Sequence, residues 1–177
     1  MLRNNLFGAR VAFGFAPFAE YNLRHEIEYA INTKQKNSTE TNAYGENFVY
    51  GTSMQTQALL FNTYYDFNNS TKFTPYVGFG LGVSHLKAIV ENTSKDDVDF
   101  SESRSGSDYN FAYALAAGVE YKLSEKLACD LQVRYFDYGK ATESVQTRDD
   151  RYGLEFDAKS SGKVNGFDVA LGLKYMF

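Results

Sequence analysis

The sequence lacks the residues on which several classes of protein depend. It has one cysteine, Cys129, and no tryptophan among 177 residues, so an internal disulfide or a site built from several thiolates is excluded. Lysine and arginine number 18 against 22 aspartate and glutamate residues, which leaves no basic surplus to hold nucleic acid. The motifs of nucleotide-binding loops, zinc peptidases and serine hydrolases are absent too. We therefore expect no metal, no cofactor, no nucleic-acid partner and no enzymatic activity.

Long apolar runs are also missing. The longest, Phe111–Ala117, covers seven residues, which is too short for a transmembrane helix. No apolar stretch of the signal-peptide kind follows Met1–Asn5, so we expect this chain to carry no signal peptide.

The sequence is instead rich in aromatic residues that alternate with small or polar ones. Tyrosine and phenylalanine number 14 and 15. In Tyr109–Tyr121 every second residue is apolar, and Asn, Ala, Gly and Glu stand between them. Alternation also marks Phe7–Phe15, Tyr21–Ile31, Phe73–Val83, Leu127–Tyr135 and Asn165–Phe177 and, less cleanly, Phe48–Phe67. A period of two predicts strands, here seven of roughly 10 to 20 residues, long enough to cross a bilayer at a tilt.

The connections between these strands alternate in length. Short turns are predicted at 16–20, 68–72 and 122–126, and long polar loops at about 32–47, 91–108 and 139–163. Short turns at one end and long loops at the other are typical of an outer-membrane barrel. The sequence therefore predicts an all-β fold: one domain, residues 1–177, forming an up-and-down antiparallel transmembrane β-barrel.

The strand count raises a question of closure. The first and last predicted strands both run toward the short turns, and such barrels have an even number of strands. One more strand is then needed before residue 6, and Met1–Asn5 is too short to supply it. We expect either an eight-stranded type of barrel whose first strand is lacking from this chain, or a barrel that closes in an unusual way.

Several segments resemble the opacity-protein and OmpA/OmpX-type group of small bacterial outer-membrane barrels. They are Tyr64–Phe67, Lys72–Gly82, Ala117–Tyr121, Leu131–Tyr135 and Ala170–Phe177. The resemblance implies a bacterial outer-membrane location among membrane lipid and lipopolysaccharide. Members of this group are mostly surface antigens, adhesins or membrane-integrity proteins, so a host or envelope ligand at the long loops is also implied.

The end of the chain resembles the signal that the outer-membrane assembly machinery reads. Apolar residues stand at every second position up to the last residue, an aromatic one. The predicted assembly signal is Phe167, Val169, Leu171, Leu173, Tyr175 and Phe177.

The polar residues of the alternating strands point inward if the apolar residues face lipid. The lumen of an eight-stranded barrel has room only for side chains, and buried charges must pair. We therefore predict a structural plug made by a lumen charge network of Arg10, Arg24, Glu26, Glu28, Glu120, Asp130, Arg134, Asp168 and Lys174.

Two other functions remain open from the sequence. The inward charges could line a narrow porin-like channel for small solutes, which a conductance measurement would reveal. A soluble lipocalin-like ligand carrier would need an apolar interior and a polar exterior, whereas the inward arginines and glutamates argue for the reverse arrangement.

The tyrosines near the strand ends fit girdles at the two membrane interfaces.

Overall fold

The computed structural model describes residues 8–43, 46–94, 101–149 and 154–177. These residues form seven strands and one turn of 3-10 helix, Ala19–Tyr21. The strands are β1 (Gly8–Phe18), β2 (Leu23–Ala43), β3 (Glu46–Asp66), β4 (Phe73–Ser94), β5 (Ser101–Lys122), β6 (Leu127–Asp149) and β7 (Leu154–Tyr175). No helix in the described ranges is long and apolar enough to cross a membrane.

The strands form a single antiparallel meander. Each one pairs with the next in chain order, from β1 to β7, and the sheet curls as a half-barrel. This confirms the predicted all-β, up-and-down antiparallel fold. The first strand, which we expect to be lacking, would precede residue 6. Residues 1–7 lie outside the described part of the chain, so this expectation stays a prediction.

The sheet has two unlike faces because successive side chains on a strand point in opposite directions. On β4 the outward residues Val77, Phe79, Leu81 and Val83 are all about half exposed. The inward residues between them are Gly78, Gly80 and Gly82, and Tyr76 before them is buried. Large apolar side chains therefore cover the convex face, as expected of a face that meets lipid.

The segments predicted as long loops are mostly paired strand. β2 and β3 pair up to Ala43 and Glu46, and β4 and β5 pair up to Thr93 and Ser101. β6 and β7 likewise pair up to Asp149 and Leu154. The loop boundaries 32–47, 91–108 and 139–163 are therefore corrected: the three connections are long hairpins. Hydropathy misses this because a strand with water on both faces has no apolar side.

The short turns lie close to their predicted positions. Asn22, which has a positive φ of 59°, follows the 3-10 helix and precedes β2. Between β3 and β4 the Asn69 side chain accepts a hydrogen bond from the Thr71 amide at 2.8 Å and donates one to the Phe73 carbonyl at 2.9 Å. Such hydrogen bonds between a side chain and the backbone stabilise a tight turn, so the two strands can be joined by a short connection.

Candidate functional site

The concave face gathers charged side chains from six strands. On β2 the alternation places Arg24, Glu26 and Glu28 on this face, and Arg24 and Glu28 are buried. The other strands add residues at equivalent levels. We call the following set the charged layer: Arg10, Arg24, Glu26, Glu28, Asp66, Glu120, Asp130, Arg134, Asp168 and Lys174.

Arg24 is the centre of the charged layer near the short turns. Its guanidinium lies 3.1 Å from Asp66 and 3.0 Å from Glu120, and it also contacts Glu26. The same group lies 4.5 Å from the centre of the Tyr64 ring and 5.3 Å from that of Tyr76. Three carboxylates and two aromatic faces therefore stabilise one buried cation.

Two contacts extend this cluster toward β6 and β7. Lys174 Nζ lies 2.7 Å from Glu120 Oε1. The Tyr76 hydroxyl donates a hydrogen bond to Asp130 Oδ1 at 2.7 Å and accepts one from Gln132 Nε2 at 3.2 Å. Each carboxylate thus has a cation or a hydroxyl donor as partner.

A second cluster surrounds Arg134, further along the strands. Arg134 Nη1 lies 2.6 Å from Glu28 Oε1, and Nη2 lies 3.0 Å from Asp168 Oδ2 and donates to the Tyr138 hydroxyl at 3.0 Å. Its side chain is only 4% exposed. From β1, Arg10 reaches Asp168 at 3.3 Å, so this cluster joins the two edge strands.

All nine residues predicted for the lumen network lie on the concave face, in these two clusters. The structure adds Asp66 as an acceptor for Arg24 and brings in the hydroxyls of Tyr76 and Tyr138. The parity of β3 places Asp66 two residues from inward Tyr64, so the alternation itself could have located it. That the network plugs the lumen stays a prediction.

Next to the charged residues, on the side of the long hairpins, part of the concave face is apolar. A buried cluster here contains Ala30, Ala58, Leu60, Leu86, Ala112, Ala114, Phe136 and Tyr138; we call it the apolar layer. Phe136 and Tyr138 stack with ring centres 4.6 Å apart, and Ser84 Oγ donates to the Tyr138 carbonyl at 2.6 Å. Sequence reasoning missed this layer because it assigned inward positions to small and charged residues.

The interior is less filled beside the two edge strands. A cleft of about 1620 Å³ is lined by both β1 and β7, and Arg10, Asp168 and Lys174 reach into it. On β7 the inward Gly172 has no atom nearer than 3.8 Å to the place of a Cβ. The charged layer therefore fills the concave face under β2–β6 more fully than under the edges.

The residues of the predicted assembly signal all lie on the convex face of β7 and beyond its end. Their exposed fractions run from 59% for Tyr175 to 95% for Phe177. The Phe177 ring lies 6.4 Å from that of Phe13 on the other edge strand. This exposure leaves the side chains open to lipid, and their role as a signal stays a prediction.

In the described part of the chain no three His, Cys, Asp or Glu side chains are grouped so that they could hold a metal ion. Of the two histidines, His25 stacks on Phe61 at 5.6 Å and His85 on Tyr109 at 4.6 Å, both on the convex face. What the concave site can do chemically is hold opposite charges in fixed pairs.

Comparison with known proteins agrees with this architecture. The family model for the outer membrane protein beta-barrel domain matches residues 4–177. Outer membrane protein PagN of Salmonella typhimurium is 29% identical over 178 residues, which cover 97% of this chain and 73% of PagN. Opacity protein V28 of Neisseria gonorrhoeae is 24% identical over 155 residues, covering 75% of this chain and 65% of that protein.

Among solved structures, Neisserial surface protein A covers 97% of this chain and 84% of its own, with 19% identity and a TM-score of 0.49. The family assignment depends on the sequence model, which spans nearly the whole chain. The chain belongs to the outer membrane protein β-barrel domain family and is a protein of the bacterial outer membrane.

Proposed function

We propose that this protein is a surface-exposed barrel that acts through its three long hairpins, while paired charges plug its interior. The observation that carries the proposal is strand length. β4 has 22 residues, whereas about 9–11 residues of a tilted strand cross the membrane. Among the described side chains of β4, Val83 is the last strongly exposed apolar one on the hairpin side, and about half of the strand extends beyond it.

The hairpins are suited to contact because their backbone is already ordered by pairing. A binding surface on such a scaffold loses less conformational entropy than one on an unstructured loop. The expected ligand is a component of a host surface or of the bacterial envelope, and the role is that of an adhesin, antigen or membrane-integrity protein. Two relatives are named as outer-membrane and opacity proteins, which supports a surface role and gives no reason to propose catalysis.

The test shortens the hairpins without touching the barrel. In the β4–β5 hairpin, Ala88 is paired with Gly106, so residues 89–105 can be replaced by an Asn-Gly turn. Bacteria that display the shortened and complete proteins are compared for adhesion to cultured epithelial cells. A mobility shift on unboiled gels checks that both proteins fold.

We expect adhesion to fall when one or more hairpins are shortened while the mobility shift persists. A matched control replaces an exposed residue in the short turn between β3 and β4, such as Ser70→Gly, which leaves the hairpins complete. If the variant with all three hairpins shortened adheres like the complete protein, the hairpins are not the functional part.

A narrow channel is the second candidate, and the cleft of about 1620 Å³ beside β1 and β7 favours it. Planar-bilayer recordings separate the two functions. A plugged interior predicts no reproducible conductance. Steady unitary steps that change in size when Arg10, which reaches into the cleft, is replaced by Gln would establish the channel instead.

A further inference from the structure

Two lysines face each other across the β6–β7 pair, just beyond the apolar band. Lys140 on β6 and Lys163 on β7 are direct partners in the register, so their side chains share one face of the sheet. Both side chains are exposed. Val164, the neighbour of Lys163, packs against the apolar layer, which places Lys163, and with it Lys140, on the convex face.

This lysine pair, Lys140 and Lys163, lies at the level where lipid headgroups begin. Among the β7 side chains that the structure describes, Phe167 is the last strongly exposed apolar one on the hairpin side. Lys163 stands four residues further along, about 13 Å along the strand and less along the membrane normal. Tyrosine hydroxyls mark the same level: that of Tyr135 accepts a hydrogen bond from Asn165 at 3.3 Å.

The local charges do not balance. Like charges directly opposite each other on a sheet are destabilising, and in the described part of the chain only Lys163 of the two has a carboxylate partner. Asp137 Oδ2 lies 2.8 Å from Lys163 Nζ, and this hydrogen bond raises the pKa of Lys163. Among the residues that the structure describes, no carboxylate pairs with the Lys140 ammonium.

A bulge in β6 and two hydrogen bonds hold the Asp137 carboxylate in place. β6 has a register shift between Asp137 and Lys140, and Gly139 within it has a φ of +85°. The Gly139 amide and the Tyr113 hydroxyl donate hydrogen bonds to Asp137 at 3.0 and 3.2 Å. This bulge turns the Asp137 carboxylate toward Lys163 and leaves Lys140 for another anion.

We propose that Lys140 and Lys163 hold a phosphate group of an anionic lipid in the outer leaflet. A lysine ammonium binds phosphate as a compact point charge. Two lysines facing outward at the headgroup level match a lipid whose acyl chains lie along the convex face below. The phosphate supplies the negative charge that the lysine pair lacks.

The test measures binding of lipid A to the full chain folded in a neutral detergent. Fluorescent lipid A is titrated onto the immobilised protein, and its dephosphorylated form is titrated in parallel. We compare Lys140→Gln with Lys126→Gln, a matched lysine in the exposed short turn at the opposite end. The mobility shift on unboiled gels verifies that each variant folds.

We expect Lys140→Gln to weaken lipid A binding about fivefold, since a lysine near an anionic surface contributes about that factor. Lys126→Gln should bind as the unchanged protein does, and dephosphorylated lipid A should bind equally weakly to all three. Equal binding of lipid A by Lys140→Gln and Lys126→Gln would overturn the proposal. Competition by inorganic phosphate at the concentrations at which lipid A binds would also overturn it, because the ligand would then be the free ion.

Discussion

Near the short turns the concave face carries the charged layer, whereas toward the long hairpins it carries the apolar layer. The charged layer joins four cations to six carboxylates through directed contacts, as between Arg134 and Glu28 at 2.6 Å. In the apolar layer the side chains need only fill the space between them, as the rings of Phe136 and Tyr138 do by stacking. One alternating pattern of inward positions thus supports two kinds of packing, and they should respond differently to substitution.

The largest effect is expected where a buried cation is removed. Arg134→Leu leaves Glu28 and Asp168 near each other without their shared partner, which should lower the free energy of unfolding by about 3–5 kcal/mol. Urea titration in lipid vesicles, followed by circular dichroism, measures the loss. Adding Glu28→Gln to the same variant should restore most of it, because Asp168 keeps its contact with Arg10 at 3.3 Å. Equal losses in the single and double variants would show that packing, not charge, dominates here.

The apolar layer is tested by a cavity. Leu60 is 1% exposed, so Leu60→Ala should cost about 3 kcal/mol of unfolding free energy. Its neighbour Leu59 is 49% exposed on the convex face, and Leu59→Ala should cost clearly less. The same urea titration compares the two variants. A larger loss at Leu59 would mean that the assigned faces of β3 are reversed.

A smaller effect is expected from crowding within the charged layer. A Cβ on Gly118 would overlap the Tyr76 ring and approach the Leu131 carbonyl oxygen to 2.7 Å. Gly118→Ala should therefore lower the free energy of unfolding by about 1–3 kcal/mol. Gly172→Ala is the matched control, because its Cβ would make only an ordinary contact, 3.8 Å from the Asp130 Cβ, and it should be neutral or slightly stabilising. Thermal mobility-shift midpoints would rank the two, and an equal decrease would contradict the close contact.

The smallest effect is expected at the solvent side of the charged layer. The Lys174 side chain is 25% exposed, and its partner Glu120 also contacts Arg24 at 3.0 Å. Lys174→Gln leaves that second contact, so the loss should be about 1 kcal/mol or less. Chemical denaturation beside Arg134→Leu gives the comparison. A loss as large as that of Arg134→Leu would mean that exposure does not weaken these pairs.

The alternation along the strands predicted the fold class because sheet faces follow the period of the chain. It could not predict how far the strands extend, since beyond the membrane polar residues suit strand and loop equally. It placed the nine network residues on the concave face, but pairing depends on neighbours across the barrel. Arg134 and Glu28 are 106 positions apart in the chain, and no local pattern connects them.

The inward apolar residues were missed for a related reason. Leu60 stands between Leu59 and Phe61, so both faces of β3 are apolar at this level and the alternation fades. Only the register, which places Leu60 opposite Gly82 and Glu28, shows what it packs beside. Tyr138 keeps the inward parity of Arg134 and Phe136, and the bulge shifts the parity of β6 only beyond it, at Lys140.

The unbroken pairing of β4 with β5 has a consequence for how the protein can diverge. The register runs from Phe73 and Tyr121 to Thr93 and Ser101 without a shift. These ladder bonds join main-chain atoms, so they depend little on which side chains the outer part carries. Outside the lipid, mutations there should accumulate without weakening the membrane domain. The outer part of the hairpins can therefore change in sequence while the part within the membrane stays the same.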